Sequence, residues 1–115
     1  MYKIDFNNPI HIHFIGIGGI SMSGLAKILL SKGFTISGSD SHSSALTDEL
    51  IGDGCLVSVP QSASNITNDI DLVVYTAAIH PDNPEFKAAK EAGLPMLTRA
   101  ELLGQIMTVY KNAIN

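Results

Sequence analysis

The sequence predicts an α/β fold, a five-stranded parallel sheet with helices on both faces, in a single domain over residues 1–115. Short apolar runs alternate with stretches of helical periodicity along the whole chain. A glycine-rich turn joins the first apolar run to the first helix. The connections are long enough for the crossovers that parallel strands require. Together these observations predict a three-layer, Rossmann-like arrangement.

The first strand and the first helix flank the glycine-rich turn. The run Ile10-His-Ile-His-Phe-Ile15 is almost wholly apolar, which is typical of a strand buried on both faces of a parallel sheet. The first helix is predicted from about Ile20 to Lys32, and Gly33 is its stop signal. Its expected packing side consists of Ile20, Leu25, Ile28 and Leu29, with Ala26 allowing a close approach to the sheet.

Two histidines lie inside the predicted first strand. His11 and His13 alternate with isoleucines, so both side chains point to one face. A His-x-His pair can be half of a metal site, but no cysteine or third histidine occurs nearby at ligand spacing. Polar packing at a strand edge is therefore the favoured interpretation, and no metal site is predicted.

The rest of the chain continues the same alternation, with glycine and proline marking the ends of elements. Gly52-Asp-Gly54 stops the second helix, Pro60 closes the third strand, and Gly93 stops the third helix. The polar stretch 61–68 leaves room for one helical turn. The remaining predicted elements are strands over 34–39, 55–59, 71–76 and 94–97 and helices over 44–51 and 85–92.

The last two helices are predicted from their apolar sides and from one cap. Phe86, Ala89 and Ala92 are expected to pack the third helix against the sheet. Thr98, with Glu101 three residues later, forms a capping box at the start of the fourth helix. The expected apolar side of that helix consists of Leu102, Leu103, Ile106 and Met107, followed by Tyr110.

Composition and charge exclude several classes of function. The chain is 45% hydrophobic and 16% charged, which suits a packed core. With a net charge of −4 and no cluster of basic residues, neither nucleic acid nor a membrane surface is expected as a partner. No apolar run approaches the roughly 20 residues of a membrane helix, and the start lacks the apolar core of a signal peptide, so a cytoplasmic location is expected. The single cysteine, Cys55, excludes an internal disulfide and is expected to be a buried, unreactive thiol.

The stretch most informative about function runs from Gly16 to Gly24, Gly-Ile-Gly-Gly-Ile-Ser-Met-Ser-Gly. Glycines allow the backbone to turn tightly and to approach a ligand closely. The first N–H groups of a helix lack internal partners and lie at the positive end of its dipole. A strand, a glycine turn and a helix in this order therefore predict a cradle for a phosphate, and best for a pyrophosphate. An ordinary turn that binds nothing is the alternative.

Other polar residues are expected at the same edge, because ligands of such folds bind beyond the carboxyl ends of the strands. Asp40 ends the second strand about 20 residues after the glycines, where a Rossmann unit binds a ribose hydroxyl. It can also serve as the cap of the helix that follows. His42 and His80 lie in loops there, either as hydrogen-bond donors or as solvated side chains. The segments expected to converge on this crevice are the glycine turn, Ser39-Asp40, Thr76-Ala77-Ala78 and Thr98-Arg99.

Taken alone, the residues indicate a site for a nucleotide diphosphate and no catalytic group. The glycine pattern departs from G-x-G-x-x-G, since Ser21 occupies the third glycine position and the next glycine is Gly24. No Ser-His-Asp order has supporting motifs, and the sequence contains neither a metal constellation nor a P-loop. A free-standing NAD-binding or regulatory Rossmann domain is the alternative interpretation.

Four segments resemble the Mur ligase family, in particular its members that join L-alanine to UDP-N-acetylmuramate in peptidoglycan synthesis. They are 13–26, 37–40, 77–85 and 99–101, and the resemblance covers about residues 10–108. It implies that residues 1–115 form the N-terminal domain, which holds the UDP part of the substrate, and that the chain ends before the central domain. In that family the central domain binds ATP and Mg2+, and a C-terminal domain receives the amino acid.

The resemblance further implies that this chain alone is inactive and needs no cofactor of its own. The implied partners are UDP-N-acetylmuramate, the remaining ligase domains in cis and, in the full-length enzyme, L-alanine. Where the family usually has Gly-His near the uracil, this chain has Pro60-Gln61, and Gln61 can still form hydrogen bonds there. The implied substrate-binding residues are Gly16, Gly18, Gly19, Ser21, Met22, Ser23, Ser39, Asp40, Thr76, Ala77, Ala78, Asn83 and Arg99.

Overall fold

The structure, a computed structural model, describes residues 1–114 and the side chains of residues 1–111. Within them one five-stranded sheet has only parallel neighbours, so the predicted α/β, Rossmann-like fold is confirmed. The strands are β1 (His11–Ile15), β2 (Thr35–Ser39), β3 (Leu56–Ser58), β4 (Leu72–Tyr75) and β5 (Met96–Thr98). The helices are α1 (Ile20–Ser31), α2 (Ala45–Asp53), α3 (Pro84–Glu91) and α4 (Arg99–Ile114), with a 3-10 turn over Ala63–Asn65.

The strand order, β3-β2-β1-β4-β5, places β1 at the centre of the sheet. β1 pairs with β2 on one side and with β4 on the other. The chain therefore proceeds outward from β1 through β2 and β3 and then returns to the other side of β1 with β4. Ligands of such sheets bind at this reversal, beyond the carboxyl ends of the strands.

The core has two parts, one on each face of the sheet. The larger part packs α1, α2 and α4 against Ile12 and Phe14 of β1, both of which are fully buried. The smaller part packs Ala89 of α3 against Ile15 and Val73. This alternation of faces along β1 explains why its apolar run is nearly continuous.

Residues 1–9, predicted only as a lead-in to β1, pack against α4. The side-chain amide of Gln105 accepts a hydrogen bond from Ile4 N at 2.9 Å and donates one to Tyr2 O at 2.7 Å. Ile4 is buried in the larger part of the core, and the ring of Phe6 packs against it. The amino terminus is thus part of the packed domain.

Local signals account for the ends of the helices. The predicted capping box of α4 is confirmed, since Thr98 N donates to Glu101 Oε1 at 2.9 Å and Glu101 N donates to Thr98 Oγ1 at 3.1 Å. Ser44 is the N-cap of α2. The last glycine of the predicted stop signal, Gly54, ends α2 with a φ of 109°, a conformation that glycine adopts without strain.

One predicted packing residue of α1 lies on the wrong side of the helix. The buried row of α1 includes Met22, Leu25 and Leu29. At about 100° per residue, Ile20 lies on the opposite side, and its side chain is 86% exposed. The prediction for Ile20 is therefore wrong, whereas the side chain of Met22, a residue that the resemblance assigned to the ligand site, packs in the core.

The apolar sides predicted for α3 and α4 include residues that are exposed in the structure. Ala92 is exposed because it follows the last residue of α3. In α4, Ile106 is buried, but Met107, about 100° further round the helix, is 61% exposed. Tyr110 is exposed as well, with the ammonium group of Lys32 lying 4.8 Å from its ring centroid.

Gly38 of β2 occupies a position where no side chain fits. A Cβ atom on Gly38 would lie 2.6 Å from Ile17 Cδ1 and 2.8 Å from Phe14 O. Ile17 is fully buried, and Phe14 is the residue paired with Gly38 in β1. Neither neighbour can therefore move away without disturbing the core.

We expect Gly38→Ala to lower the free energy of unfolding by about 1–3 kcal/mol, the usual cost of overpacking a core. Gly104→Ala is the matched control, because the same methyl group meets no atom within 4 Å in α4 and alanine favours a helix. Urea unfolding followed by circular dichroism measures both variants. Wild-type stability of Gly38→Ala would contradict this description of the packing.

Candidate functional site

The glycine turn folds back onto the end of β2. Gly16 adopts a φ of 85°, and the N–H groups of Gly16 and Ile17 both donate to Ser39 O, at 2.8 and 2.9 Å. Gly19 N donates to Gly16 O at 3.2 Å, and Gly19 is the N-cap of α1. The end of β2 therefore fixes the turn that leads from β1 into α1.

The first turn of α1 presents hydrogen-bond donors to the crevice edge. The N-cap Gly19 has no side chain to accept them, and the first turn carries no acidic residue. In the part of the chain that the structure describes, no group accepts a hydrogen bond from the backbone N–H of Ile20, Ser21 or Met22. These three N–H groups, the helix-start donors, lie at the positive end of the α1 dipole and suit an anion.

Asp40, directly after β2, lies beside the glycine turn. Its Oδ2 accepts a hydrogen bond from Gly18 N at 2.9 Å, and its Oδ1 accepts one from Ser41 N at 2.8 Å. The first contact confirms that the glycine turn and Asp40 share one edge of the sheet. The helix-cap alternative for Asp40 is wrong, because the N-cap of α2 is Ser44. Contact with a ribose hydroxyl stays a prediction.

A cavity of about 490 Å³ lies at this edge, between the glycine turn and the loops that follow β2, β3 and β4. It occupies the reversal of strand order, where the crevice is expected. The predicted site residues that line it are Gly16, Gly18, Gly19, Asp40, Thr76 and Asn83. His42, a candidate donor, lines it as well, together with Ile15, Ser43, Ser44, Gln61 and Ile79.

The other predicted site residues lie outside this cavity. Met22, Ser23 and Ser39 are buried. Ser23 Oγ donates to Ile20 O at 3.0 Å, and Ser39 Oγ donates to Glu85 Oε1 at 2.7 Å. The side chains of these three residues therefore lie inside the domain, and Ser23 N donates to Gly19 O at 2.8 Å. Of the three, only Met22 has a backbone N–H group without an acceptor among the described residues. Of the remaining predicted residues outside the cavity, Ser21, Ala77 and Ala78 are exposed and Arg99 is half-buried.

Arg99 lies beside the first turn of α1. Its Nη1 donates to Ser21 Oγ at 3.2 Å. Among residues 1–111, no carboxylate lies within ion-pair distance of its guanidinium group. A cation beside the positive end of a helix is unfavourable unless an anion lies between them. Arg99 and the helix-start donors therefore share a requirement for negative charge.

A pair of side-chain amides forms another part of the cavity wall. Asn83 is the N-cap of α3, and its Oδ1 accepts hydrogen bonds from Glu85 N and Phe86 N at 2.9 and 3.2 Å. Its Nδ2 is therefore the atom that donates to Gln61 Oε1, at 2.8 Å. Among the described residues, the Nε2 group of Gln61 has no acceptor. The cap of α3 thus orients Gln61 as a hydrogen-bond donor at the cavity.

Glu85, which the sequence analysis did not single out, is the centre of a buried polar network. Its Oε1 lies 2.7 Å from Ser39 Oγ and 2.6 Å from His13 Nε2. Its Oε2 accepts hydrogen bonds from Ser62 N at 3.1 Å and from Asn65 Nδ2 at 2.9 Å. Burial raises the pKa of Glu85, but the hydrogen bonds from His13, Asn65 and Ser39 outweigh burial, and its pKa lies below the ordinary value.

The two histidines of β1 extend this network. His13 Nδ1 and His11 Nε2 lie 2.9 and 2.7 Å from Ser37 Oγ, and His11 Nδ1 lies 3.1 Å from Asp69 O. The predicted polar packing is therefore confirmed. The predicted place of it, a strand edge, is wrong, because β1 is the central strand of the sheet.

We expect Glu85 to make stability depend on pH in the acidic range. A carboxyl group whose pKa is lower in the folded state stabilises the fold above its unfolded pKa of about 4.3, and that contribution is lost as the pH falls. Wild type should therefore lose stability more steeply than Glu85→Gln between about pH 5 and pH 3. Glu91→Gln, exposed at the other end of α3, is the control and should keep the wild-type slope. Equal slopes for wild type and Glu85→Gln in urea unfolding would contradict this role.

The remaining candidates lie away from the cavity. Cys55 is buried, and burial raises the pKa of its thiol, which agrees with the unreactive state predicted for it. His80 is exposed, and its Nδ1 accepts a hydrogen bond from Asp82 N at 3.1 Å. Within residues 1–114, no three His, Cys, Asp or Glu side chains are grouped as a metal site. No helix in the same range has the length and apolarity needed to cross a bilayer.

The fold and its crevice define the chain as a Rossmann-like domain with a candidate ligand site at the reversal of strand order. The family model described as Mur ligase family, catalytic domain, matches residues 11–111. The chain therefore belongs to the Mur ligase family.

Three similar proteins agree with this assignment. The chain is 97% identical over 115 residues to the UDP-N-acetylmuramate--L-alanine ligase of Lachnospira eligens, covering 100% of this chain and 25% of that protein. The crystal structure of UDP-N-acetylmuramate-alanine ligase MurC from Thermotoga maritima matches with a TM-score of 0.82 and 35% identity, over 86% of this chain and 23% of that one. UDP-N-acetylmuramate:L-alanyl-gamma-D-glutamyl-meso-diaminopimelate ligase from Neisseria meningitides matches with a TM-score of 0.73 and 30% identity, over 80% and 29%. The chain thus spans about a quarter of the length of the curated relatives it matches.

Proposed function

We propose that this chain binds the uridine diphosphate part of UDP-N-acetylmuramate. It does so as the N-terminal domain of an ATP-dependent ligase that joins L-alanine to that substrate in peptidoglycan synthesis. The observation that carries the proposal is the 97% identity, over the whole chain, to a protein named for that reaction. The crevice beside the glycine turn is the site that we assign to the substrate.

We assign the diphosphate to the start of α1. The guanidinium group of Arg99 lies beside the helix-start donors, since its Nη1 donates to the Ser21 hydroxyl at 3.2 Å. A hydrogen bond to a charged group contributes about 1.5–3 kcal/mol, so several of them together favour a doubly charged diphosphate over a neutral ligand. Backbone donors and a planar guanidinium group are also the groups that bind phosphate oxygens most directly.

We assign the nucleoside to the part of the cavity lined by Asp40, His42 and Gln61. The carboxylate of Asp40 can accept a hydrogen bond from a ribose hydroxyl beside the glycine turn. Gln61 presents its Nε2 as a donor, because Asn83 occupies its oxygen. A donor at that point suits a base with a carbonyl oxygen, such as uracil, and supports Gln61 as the contact in place of the family's usual histidine.

ATP, Mg2+ and L-alanine are assigned to the remaining domains of the enzyme, in cis. The sequence contains no P-loop that would hold the phosphates of ATP. The residues of this chain therefore do not fit the ATP site, and we expect the chain alone to have neither ligase nor ATPase activity. A cytoplasmic location belongs to the same proposal, since ATP and nucleotide sugars are cytoplasmic substrates.

A panel of nucleotides in a thermal-shift assay tests the proposed function. UDP and UDP-N-acetylmuramate should raise the melting temperature, since a ligand at 100 times its Kd stabilises the folded state by about 2.7 kcal/mol. NAD and ATP should have smaller effects at the same concentration. A larger shift with NAD would favour the free-standing NAD-binding domain instead. No shift with any nucleotide would contradict substrate binding by this domain alone.

A further inference from the structure

The buried carboxylate of Glu85 connects separate parts of the crevice wall. Through Oε1 it holds the side chain of Ser39, whose backbone oxygen accepts the N–H groups of Gly16 and Ile17 in the glycine turn. Through Oε2 it holds Ser62 N, one residue after Gln61. A single side chain thus joins the glycine turn to the segment that carries Gln61.

The backbone of Glu85 makes a third connection, to the amide pair of the wall. Glu85 N donates to Asn83 Oδ1, and Asn83 Nδ2 donates to Gln61 Oε1. Asn65, in the 3-10 turn, donates to Glu85 Oε2 and also to Pro60 O at 3.2 Å, directly before Gln61. The position and the orientation of Gln61 therefore depend on Glu85 from both sides.

A chain of four hydrogen bonds runs from Glu85 through the two histidines to Asp69. It needs one hydrogen atom more than the neutral side chains between these ends supply. The four links are Glu85–His13, His13–Ser37, Ser37–His11 and His11–Asp69. Each link needs one hydrogen, whereas an ionised Glu85 and the carbonyl of Asp69 supply none. Two neutral imidazoles and one hydroxyl supply three, one fewer than the four links need.

The acidic groups around the two imidazole rings would stabilise the positive charge of a ring that carries the additional hydrogen. The Glu85 carboxylate faces His13, and Asp69 Oδ2 lies 3.4 Å from His11 Nδ1. Asp71 Oδ2 accepts the backbone N–H of His11 at 2.9 Å. Among the described residues, no buried side-chain nitrogen or oxygen is left without a hydrogen-bond partner. The polar side chains of this network are thus all paired, with the Glu85 carboxylate at one end.

We propose that Glu85 is a positioning residue for the crevice, holding the Gln61–Asn83 wall against the glycine turn with the help of one protonated histidine of the His13–Ser37–His11 chain. This inference rests on the proposed function only in taking UDP as the ligand. Glu85 does not line the cavity, so it acts through Gln61, Asn83 and the turn.

Glu85→Gln tests the proposal with little change of shape. The side chain that replaces the carboxylate has one oxygen and one NH2 group. The NH2 group must face either His13 and Ser39 or Ser62 and Asn65. Both pairs donate hydrogen bonds to Glu85, so in either orientation donors face donors. We expect the side-chain amide signals of Gln61 and Asn83 to shift in NMR spectra and UDP affinity to fall about tenfold. Glu91→Gln, on the same helix, should change neither.

Nitrogen-15 NMR of the imidazole rings reports whether each ring nitrogen is protonated, which a change in packing alone would not alter. At neutral pH we expect wild type to show one ring protonated on both nitrogens, and Glu85→Gln to lose that signal. If folded Glu85→Gln keeps the wild-type histidine signals, Gln61 and Asn83 signals and UDP affinity, the proposal is wrong. If wild type does not bind UDP but the amide and histidine signals change as expected, the proposed function fails and the positioning role stands.

A second variant decides the matter if Glu85→Gln does not fold. Asn65→Ala removes the hydrogen bonds from Asn65 to Glu85 Oε2, at 2.9 Å, and to Pro60 O, at 3.2 Å, and it leaves the histidine side of the network in place. We expect it to shift the Gln61 side-chain signals while the doubly protonated ring remains. Unchanged Gln61 signals in this variant would overturn the proposal.

Discussion

Gly18→Val is expected to weaken UDP binding about a hundredfold while the domain stays folded. A Cβ on Gly18 would lie 2.7 Å from Asp40 Oδ2 and 3.0 Å from Thr47 Cγ2. The branched side chain must therefore displace Asp40, which we assign to the ribose, or enter the cavity beside the helix-start donors. We expect the first change to remove the ribose contact and the second to separate the diphosphate from those donors. Losing two hydrogen bonds to a charged group, at about 1.5 kcal/mol each, accounts for the expected loss. The fold survives because the Asp40 carboxylate is only half-buried and can turn away.

The matched control is Gly52→Val, since a side chain on Gly52 in α2 meets no atom within 4 Å. It introduces the same residue away from the cavity and should bind UDP as wild type does. Isothermal titration calorimetry measures all three proteins, with circular dichroism to show that they are folded. Equal UDP affinity of Gly18→Val and wild type would show that the glycine turn is only a turn, and the site assignments would fail with it.

Arg99→Gln is expected to reduce UDP affinity about thirtyfold, the effect of about 2 kcal/mol lost from a charge-assisted hydrogen bond. The guanidinium group contacts Ser21 in the first turn of α1, beside the proposed diphosphate. Because the interaction is between charges, added salt should weaken UDP binding by wild type more than by the variant.

Lys87→Gln provides the control for net charge, because Lys87 is exposed on α3 and does not line the cavity. It removes one positive charge and should leave UDP affinity within about twofold of wild type, as expected for an exposed charge outside the site. Calorimetry at two salt concentrations compares the three proteins. An Arg99→Gln variant with wild-type affinity and wild-type salt dependence would remove Arg99 from the proposed site.

Features whose signals lie within a few residues could be predicted from the sequence. The capping box of Thr98 and Glu101 is an example, since both hydrogen bonds span three residues. The glycine turn between β1 and α1 is another, because its position depends on local backbone geometry and on the helix that follows. The parallel sheet followed from the alternation of elements, which requires crossover connections.

It was harder to predict which side of a helix packs against the sheet. Ile20 and Met22 are both apolar and both lie in the first turn of α1, yet Ile20 is exposed and Met22 is buried. The row formed by Met22, Leu25 and Leu29 decides which side packs. A periodicity count that included Met22 would have found this row.

The Glu85 network could not be predicted because its contacts join distant parts of the chain. Glu85 lies 72 positions from His13 and 46 from Ser39. One signal was present: His11 and His13 alternate on β1 as Ser37 and Ser39 do on β2. Four polar side chains on one face of two buried strands require a polar partner in the layer that covers them. Which residue supplies it depends on where α3 packs.

The most direct test of the proposed site is a UDP titration followed by backbone N–H signals in two-dimensional NMR. If the diphosphate binds at the start of α1, the largest and saturable shifts should belong to the helix-start donors, Ile20, Ser21 and Met22, with Gly18 close to them. NAD and ATP should shift these signals less at the same concentration. Saturable UDP binding that leaves the three helix-start signals unmoved would contradict the proposed site.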